Sequence, residues 1–197
     1  MRRLVCSISF AVAVSGCSTA MSHFYTLDPT ATSDGSPPIH QAIAVGPVSV
    51  PPSVDRPQFV IQVAPNRVTV DEFNRWAGPL DDSIGRAIAG DLAVLLGTSD
   101  VAVAPVSGFV PTLRVTVDVQ RFESVPGESV AVEALWSVRP MAGGDIRSGR
   151  TVAREAVQGK SYDAIAAAHS RALATVSTDI AAAIRAQSAT PPHRRTR

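Results

Sequence analysis

A short apolar run that ends in a cysteine opens the sequence and decides in which compartment the chain folds. Arg2 and Arg3 precede the run, residues 4–14 are apolar or small, and Val-Ser-Gly-Cys follows at positions 14–17. A helix over the eleven residues 4–14 would be about 16 Å long, roughly half the hydrocarbon thickness of a bilayer. The run is therefore too short to span a membrane and fits the apolar region of a secretory signal.

The Val-Ser-Gly-Cys sequence resembles the lipobox of bacterial lipoproteins. The resemblance implies that the signal is cut before Cys17 and that Cys17 is acylated on its sulfur and on its new amine. More than one acyl chain gives stable anchoring, because each buried methylene contributes about 0.8 kcal/mol. Ser18 stands where an Asp would resemble an inner-membrane retention signal, which implies the periplasmic face of the outer membrane. The alternative is an ordinary signal peptide cut a few residues later, near 18–20.

Composition limits the partners of the mature chain. Removal of residues 1–16 from the 197 leaves 181, enough for one domain with a core. Of the 18 Lys and Arg only Arg2 and Arg3 are lost, which leaves 16 basic against 17 acidic residues and argues against nucleic-acid binding. Cys6 leaves with the signal and Cys17 carries lipid, so no disulfide is expected. No later apolar run approaches the length of a membrane span.

Four segments are expected along the chain. Residues 1–16 form the signal peptide, 17–22 a lipidated leash, 23–187 the periplasmic domain, and 188–197 a disordered basic tail. Within the domain, loop composition predicts a loop at 30–38 and an extended linker at 51–57.

Hydrophobic periodicity predicts the elements of the domain. Two apolar stripes at helical spacing predict helices at 80–96, with Asp81 or Asp82 as the cap and Gly97 as the stop, and at about 162–187, capped by Ser161. Gly46-Pro47 should bend or end its strand, because Pro donates no ladder hydrogen bond. Strands are expected at 24–27, 42–50, 58–63, 100–104 and, as an antiparallel meander, at 112–123, 130–139 and 149–158, with 68–76 partly extended. The order indicates a single α+β domain in which one mixed, mostly antiparallel β-sheet packs against two α-helices.

Signals for catalysis are weak, and no enzymatic activity, cofactor or metal is expected. The four His are spread singly, without metal-ligand spacing. Gly159-Lys160-Ser161 has the ending of a phosphate-binding loop, but Arg154 stands where that loop needs a Gly. There is no Gly-x-Ser-x-Gly motif, and a Ser-His-Asp group assembled only in space stays open.

Several short motifs after the lipobox resemble those of the PqiC family, the ABC-type transport auxiliary lipoproteins of MCE-type systems. The motifs are Phe-Tyr-Thr-Leu at 24–27, Val-Gly-Pro-Val at 45–48, Asp-Arg-Pro-Gln at 55–58, Arg-Trp-Ala-Gly-Pro-Leu at 75–80, and Arg-Val-Thr-Val at 114–117 before Phe122. The resemblance runs from Cys17 to the last helix. Gly78 departs from it, because an acidic residue is expected there, and the basic tail is not a family feature.

The resemblance implies a binding role at the outer membrane without chemistry. It implies that the lipoprotein anchors or caps a tube of MCE-domain proteins that carries phospholipids or other hydrophobic molecules across the periplasm. The inner-membrane ABC permease and ATPase are then indirect partners, outer-membrane lipid is contacted through the acyl chains, and the lipoprotein forms a homo-oligomeric ring.

Three residues are candidates for partner contacts. Trp76 is expected either as a core residue under the first helix or as an anchor for a partner, since Trp is enriched at interface hot spots. Arg56, followed by Pro57, is expected to pair with a carboxylate of its own domain or to dock on a neighbour. Trp136, in the middle of a strand, is most simply a core residue.

A second function keeps the lipid anchor and changes the partner. The chain is then a lipoprotein activator of a peptidoglycan synthase, which also combines a small α+β domain with a lipidated leash. Such a leash usually reaches the cell wall, whereas the leash here spans at most about 18 Å when extended. The short leash favours a domain held at the membrane surface.

Overall fold

The computed structural model describes residues 21–188. The expected signal peptide, the acylation site at Cys17 and the basic tail beyond Ser188 lie outside these residues. In the described range no helix has the length and apolar character needed to cross a membrane. The elements follow in the order β1 (His23–Tyr25), β2 (Ile43–Ser49), β3 (Gln58–Ala64), β4 (Arg67–Trp76), α1 (Leu80–Leu96), β5 (Val101–Val103), β6 (Leu113–Val125), β7 (Ser129–Pro140), β8 (Arg147–Ala156) and α2 (Tyr162–Ser188).

A five-stranded sheet in the order β5-β2-β6-β7-β8 forms the centre of the domain. β2 pairs in parallel with β5 and β6, and β6, β7 and β8 form the expected antiparallel meander. Both helices cover one face of this sheet. The buried side chains of β6 alternate along the strand as the sequence predicts, and the opposite face exposes polar residues such as Asp118 and Arg150. The α+β class and the two packed helices are confirmed.

A separate three-stranded sheet in the order β1-β4-β3 lies at one end of the domain. Its strands were expected in one mixed sheet with the others, and the structure divides them between two sheets instead. β1 runs parallel to β4, and β3 and β4 form an antiparallel hairpin around the turn at Asn66. The segment at 68–76, expected to be only partly extended, is a full strand of the hairpin. Phe59 and Trp76 from this sheet pack on Phe122 and on the first turns of α2.

Gly46-Pro47 bends β2 without ending it. The register between β2 and β6 shifts between Val45 and Val48, so the two residues form an irregularity within the strand. β5 pairs with β2 only as far as Val45, which leaves the neighbouring position beside Pro47 open on that side. The missing N–H of Pro47 therefore breaks no ladder hydrogen bond to β5.

The helix ends follow the sequence with one correction. Gly97 adopts φ 62 and ψ 37 after α1, a left-handed C-terminal residue as expected. Ser161 Oγ accepts the N–H of Ala164 at 3.2 Å and caps α2. The start of α1 differs, because Pro79 is the N-cap residue and no side chain caps it. Asp81 and Asp82 lie in the first turn, where their charge favours the helix dipole without the expected capping bond.

Asp91 fastens the N-terminal segment to both helices. The carboxylate is fully buried in α1, and its Oδ1 accepts the N–H groups of Thr30 and Ala31, each at 2.8 Å. Ser177 of α2 places its Oγ 3.0 Å from Oδ2. Burial raises the pKa of Asp91, and these three hydrogen bonds oppose the rise. The expected loop after β1 is thus held against α1 and α2.

Candidate functional site

An aromatic cluster lies at the junction of the two sheets. It brings together three of the sequence motifs: the motif with Tyr25, the motif with Trp76, and the motif that ends shortly before Phe122. The Phe59 and Trp76 rings stack with centroids 4.1 Å apart, and the Trp76 ring meets Phe122 edge-on at 6.0 Å. Tyr25 and Tyr162 approach Phe59 from β1 and α2, at 5.3 and 5.2 Å. Residues from four strands and one helix thus share one core, which fixes the end of the domain that carries the N-terminus.

An irregularity in β4 turns polar side chains of this strand towards the aromatic cluster. Between the pairs Gln58–Arg75 and Phe59–Asp71 the register shifts, so residues 72–74 are extra on the β4 side. Asp71 closes this bulge by accepting the N–H groups of Phe73 and Asn74, at 2.9 and 2.8 Å. The bulge turns Asn74 and Trp76 inward.

Two tyrosine hydroxyl groups tie the bulge to the neighbouring elements. Tyr25 donates to Asn74 Oδ1 and Tyr162 donates to Asp71 Oδ2, both at 2.7 Å. Burial opposes ionisation of Asp71, but its hydrogen bonds from Tyr162, Asn74 and Phe73 outweigh this and lower the pKa of the carboxyl group. Burial and the adjacent Asp71 raise the pKa of Tyr162. Both groups are therefore fixed, the carboxylate as acceptor and the phenol as donor.

A serine and a histidine meet in the core beside the cluster. Ser124 Oγ lies 2.8 Å from Nε2 of His169, and the His169 ring stacks on Phe122 at 3.8 Å. Both side chains are buried, and Nδ1 of His169 has no hydrogen-bond partner among residues 21–188. Burial lowers the pKa of His169 to about 3, so the ring is neutral.

This pair is the serine–histidine grouping that the sequence left open, and its geometry does not fit a nucleophile. A catalytic base of this type needs a carboxylate on its second nitrogen to orient it, and a substrate must reach the serine. In the part of the chain that the structure describes, neither condition holds for Ser124 and His169, because Nδ1 has no partner there and both side chains are buried. Among residues 21–188 there is also no group of three or more His, Cys, Asp or Glu side chains arranged for a metal ion.

The structure places Arg56, Pro57 and Trp76 next to one another. The carbonyl of Pro57 accepts the N–H of Trp76 at 2.7 Å. Trp76 exposes only 5% of its surface, which matches the core alternative. Arg56 and Pro57 are exposed, and in the described part of the chain Arg56 has no side-chain hydrogen bond or ion pair. The expected pairing with a carboxylate of the same domain is therefore not formed there. Cys17 lies outside the described residues.

Gly78 lies beside Arg86, so an acidic side chain at position 78 would lie close to the guanidinium group. A Cβ at this position would lie 3.6 Å from the guanidinium of Arg86 and 3.9 Å from Ser83 Oγ. In this chain Arg86 donates to Ser83 Oγ at 3.1 Å instead.

Sequence reasoning missed Asp71, Asn74, Ser124 and Asp91. Their roles arise from contacts with residues far along the chain, such as the contact between Asp71 and Tyr162, which are 91 positions apart. His169 lies beside Ala168 on the buried stripe of α2. That position on the buried stripe was a usable signal for a neutral, buried ring.

Comparison with known proteins identifies the family. The model of the ABC-type transport auxiliary lipoprotein component matches residues 25–181. The chain belongs to this family. The family is one of transport auxiliary lipoproteins and not a known enzyme family, and as a lipoprotein family it implies anchoring to a membrane through lipid. No curated protein sequence matches the chain.

Solved structures share the fold of this auxiliary lipoprotein. Protein XCC0632 from Xanthomonas campestris is 18% identical with a TM-score of 0.69, over 85% of this chain and all of its own. An uncharacterized protein is 20% identical with a TM-score of 0.66, over 84% of this chain and 99% of its own. A PelC dodecamer from Paraburkholderia phytofirmans is 15% identical with a TM-score of 0.41, over 77% of this chain and 90% of its own. The first two similarities confirm the fold alone.

Proposed function

We propose that this chain is the outer-membrane lipoprotein subunit of an MCE-type ABC transport system. It is anchored through Cys17 on the periplasmic face of the outer membrane, and it anchors or caps a tube of MCE-domain proteins for transport of phospholipids or other hydrophobic molecules. The observation that carries the proposal is the match to the ABC-type auxiliary lipoprotein family over residues 25–181. The inner-membrane permease and ATPase are indirect partners, and the subunit assembles as a homo-oligomeric ring.

The arrangement of the motif residues supports a binding role. Residues of three motifs converge on the aromatic cluster around Trp76, at one end of the domain. The Ser124–His169 pair, in the same core, lacks the access and the orienting carboxylate of a catalytic site. A rigid domain held on a short lipidated leash is suited to positioning a partner at the membrane surface.

The experiment is recovery of the lipidated protein, solubilised in mild detergent from its own envelope, with mass spectrometry of the partners. The Cys17→Ala variant serves as the control, because it removes the acylation site and leaves the domain unchanged. Recovery of an MCE-domain protein with the lipidated chain supports the proposal. Recovery of a peptidoglycan synthase in its place would contradict it and favour the activator function.

A further inference from the structure

Three large apolar side chains are exposed beside the N-terminal end of the described chain. Met21 exposes 77% of its surface, Phe24 64% and Phe73 48%. Phe24 belongs to β1, and Met21 lies two residues before this strand. Phe73 belongs to the neighbouring strand β4. We call Phe24 and Phe73 the edge patch. Single exposed apolar residues are common, whereas a group of them on one surface indicates an interaction site.

Strand pairing puts Phe24 on the outer face of the three-stranded sheet, and Phe73 lies on the neighbouring strand. β1 and β4 are parallel, with Phe24 opposite Arg75 and Tyr25 opposite Trp76. Tyr25 and Trp76 point into the aromatic cluster. Because side chains alternate along strands, Phe24 and Arg75 point outward. Phe73 lies in the bulge of the neighbouring strand β4, and its 48% exposure shows that its ring also reaches the surface.

The edge patch is held on rigid backbone. Phe73 N–H is bound by Asp71, and the carbonyl of Tyr25 accepts the N–H of Ala77 at 2.8 Å. Tyr25 is fixed further by its hydroxyl bond to Asn74. The exposure of Phe24 and Phe73 is therefore a property of the folded sheet and not of a loose terminus.

The proposed lipid anchor lies a short distance along the chain from this patch. Four residue steps separate Cys17 from Met21, which gives a maximum reach of about 14 Å. Acyl chains on Cys17 would therefore hold Met21 and its neighbours Phe24 and Phe73 close to the bilayer surface. Aromatic side chains are enriched at this boundary, where their rings reach the acyl region.

Positive and negative side chains around the edge patch nearly balance, so electrostatic attraction to an anionic surface is expected to be weak. Arg75 lies 3.6 Å from Glu72, and Gln58 donates to the same carboxylate at 3.2 Å. Arg56, exposed in the segment that precedes β3, is followed in sequence by Pro57 and preceded by Asp55. A contact carried by this surface is expected to depend on its apolar side chains and only weakly on anionic lipid.

From these observations, and resting on the lipid anchoring in the proposed function, we propose that the edge patch of Phe24 and Phe73 is a bilayer-docking surface. It lies against the phospholipids beside the acylated Cys17 and orients the domain on the membrane. The occupant of the patch is thus the lipid surface itself, in addition to the acyl chains.

The test uses the full-length, lipidated protein in phospholipid vesicles. Acylation of Cys17 leaves the mature chain without a free thiol, so a single cysteine can be introduced and labelled with the fluorophore NBD. Phe24→Cys and Phe73→Cys report on the edge patch. Leu135→Cys and Val152→Cys are matched controls, because they expose 42% and 53% and lie on the open face of the five-stranded sheet. Lipids that carry a doxyl quencher near the headgroup then show which labels touch the bilayer.

The expected result is loss of most NBD fluorescence at positions 24 and 73 and little loss at 135 and 152. The loss should be the same in vesicles of phosphatidylcholine and in vesicles that also contain phosphatidylglycerol. Vesicles that float with the protein but show no quenching at 24 and 73 would overturn the docking surface and leave the anchor intact. An NBD label that is shielded from water to the same extent with and without vesicles would overturn the docking surface. That result would favour a second copy of the protein as the occupant of the patch.

Failure of the anchor gives a different result. Protein that does not float with the vesicles, together with an unmodified Cys17 by mass spectrometry, would contradict the lipid anchoring of the proposed function. The docking surface would fall with it, because the short reach from Cys17 would no longer hold the patch at the membrane. Identification of the protein partner is independent of both results.

Discussion

Asp91 joins three parts of the chain through one carboxylate. It accepts two backbone N–H groups from the segment after β1 and lies in contact with Ser177 of α2. A buried carboxylate with satisfied oxygens is stable, whereas its removal leaves buried donors without partners. The segment from Thr30 onward has few other hydrogen bonds to α1, so Asp91 determines how it is held.

Asp91→Ala is expected to lower the free energy of unfolding by about 2–3 kcal/mol, because the N–H groups of Thr30 and Ala31 lose their acceptor in the core. Urea unfolding followed by far-UV circular dichroism measures this. Asp82→Ala, an exposed position on the same helix, is the control and should change stability by less than about 1 kcal/mol. Asp91→Asn keeps one acceptor oxygen and should lie between them. An alanine variant as stable as the control would contradict this role.

His169 makes the stability depend on pH. Its pKa is about 3 in the folded protein, below the ordinary value of 6.5, so the fold favours the neutral ring. The stabilisation is therefore complete above about pH 6.5 and is lost as pH falls towards 3, by up to about 1.4 kcal/mol per pH unit. Ser124 and Phe122 supply the ring's contacts without any carboxylate to hold a proton on it.

His169→Gln is expected to remove this part of the pH dependence while keeping a hydrogen-bond partner for Ser124. The measurement is the free energy of unfolding between pH 7 and pH 4 for the wild type and the variant. The slope of the variant should be smaller, although its stability at pH 7 is lower because the stacking on Phe122 is lost. His23→Gln, at an exposed position, should keep the wild-type slope. Equal slopes for wild type and His169→Gln would refute the assignment.

The strands β2 and β4 each carry an irregularity that redirects the chain. In β4, Asp71 closes a bulge that turns Asn74 and Trp76 into the aromatic cluster. In β2, the shift between Val45 and Val48 accommodates Gly46-Pro47 within a strand that has neighbours on both sides. Gly46 adopts φ 126, a region that side chains rarely enter, so a glycine is required at this bend.

Gly46→Ala is expected to destabilise the domain by about 1–3 kcal/mol, because the backbone conformation is strained for any residue with a Cβ. The added Cβ would also lie 3.4 Å from the carbonyl oxygen of Ala104. Thermal unfolding compares this variant with Gly78→Ala, whose Cβ meets only ordinary contacts. A Gly46→Ala protein that melts with the wild type would show that the bend does not need glycine.

The whole domain has two distinct ends. α2, with 27 residues and a length of roughly 40 Å, runs from the aromatic cluster to the opposite end, where Gln187 donates to the carbonyl of Asp145. β1, at the start of the described residues, and the edge patch lie at the cluster end. Under the proposed anchoring, that end meets the membrane and the loops at the far end of the sheet face the periplasm.

Cys17→Ala is expected to move the protein from membrane fractions to the soluble periplasmic fraction or to leave its signal uncleaved, because the acyl chains supply the anchoring. Fractionation of the envelope with immunoblotting measures both forms, and Cys6→Ala is the matched control that should stay in the outer membrane. A Cys17→Ala protein that is cleaved and still sediments with the outer membrane would argue against anchoring by lipid alone.

Most helices and strands could be predicted from the sequence, because they depend on the local periodicity of apolar residues. α1 has the predicted bounds, and α2 extends one residue beyond them. β6 buries alternate residues from Leu113 to Val119 as predicted, before a register shift with β7 changes the phase. Gly97 and Ser161 were found as helix-end residues because their roles depend on neighbours within a single turn. Acylation at Cys17 is also a prediction from a local motif, and it awaits its own test.

Tertiary structure alone decided how these elements are joined and which polar residues matter. The division of the strands into two sheets, the parallel pairing of β2 with β5 and β6, and the cluster around Trp76 depend on which distant segments meet. Ser124 and His169 are 45 residues apart, and Asp91 and Ser177 are 86 apart. Such pairs have no local signature, because their energy comes from burial and hydrogen bonding that exist only once the core has closed.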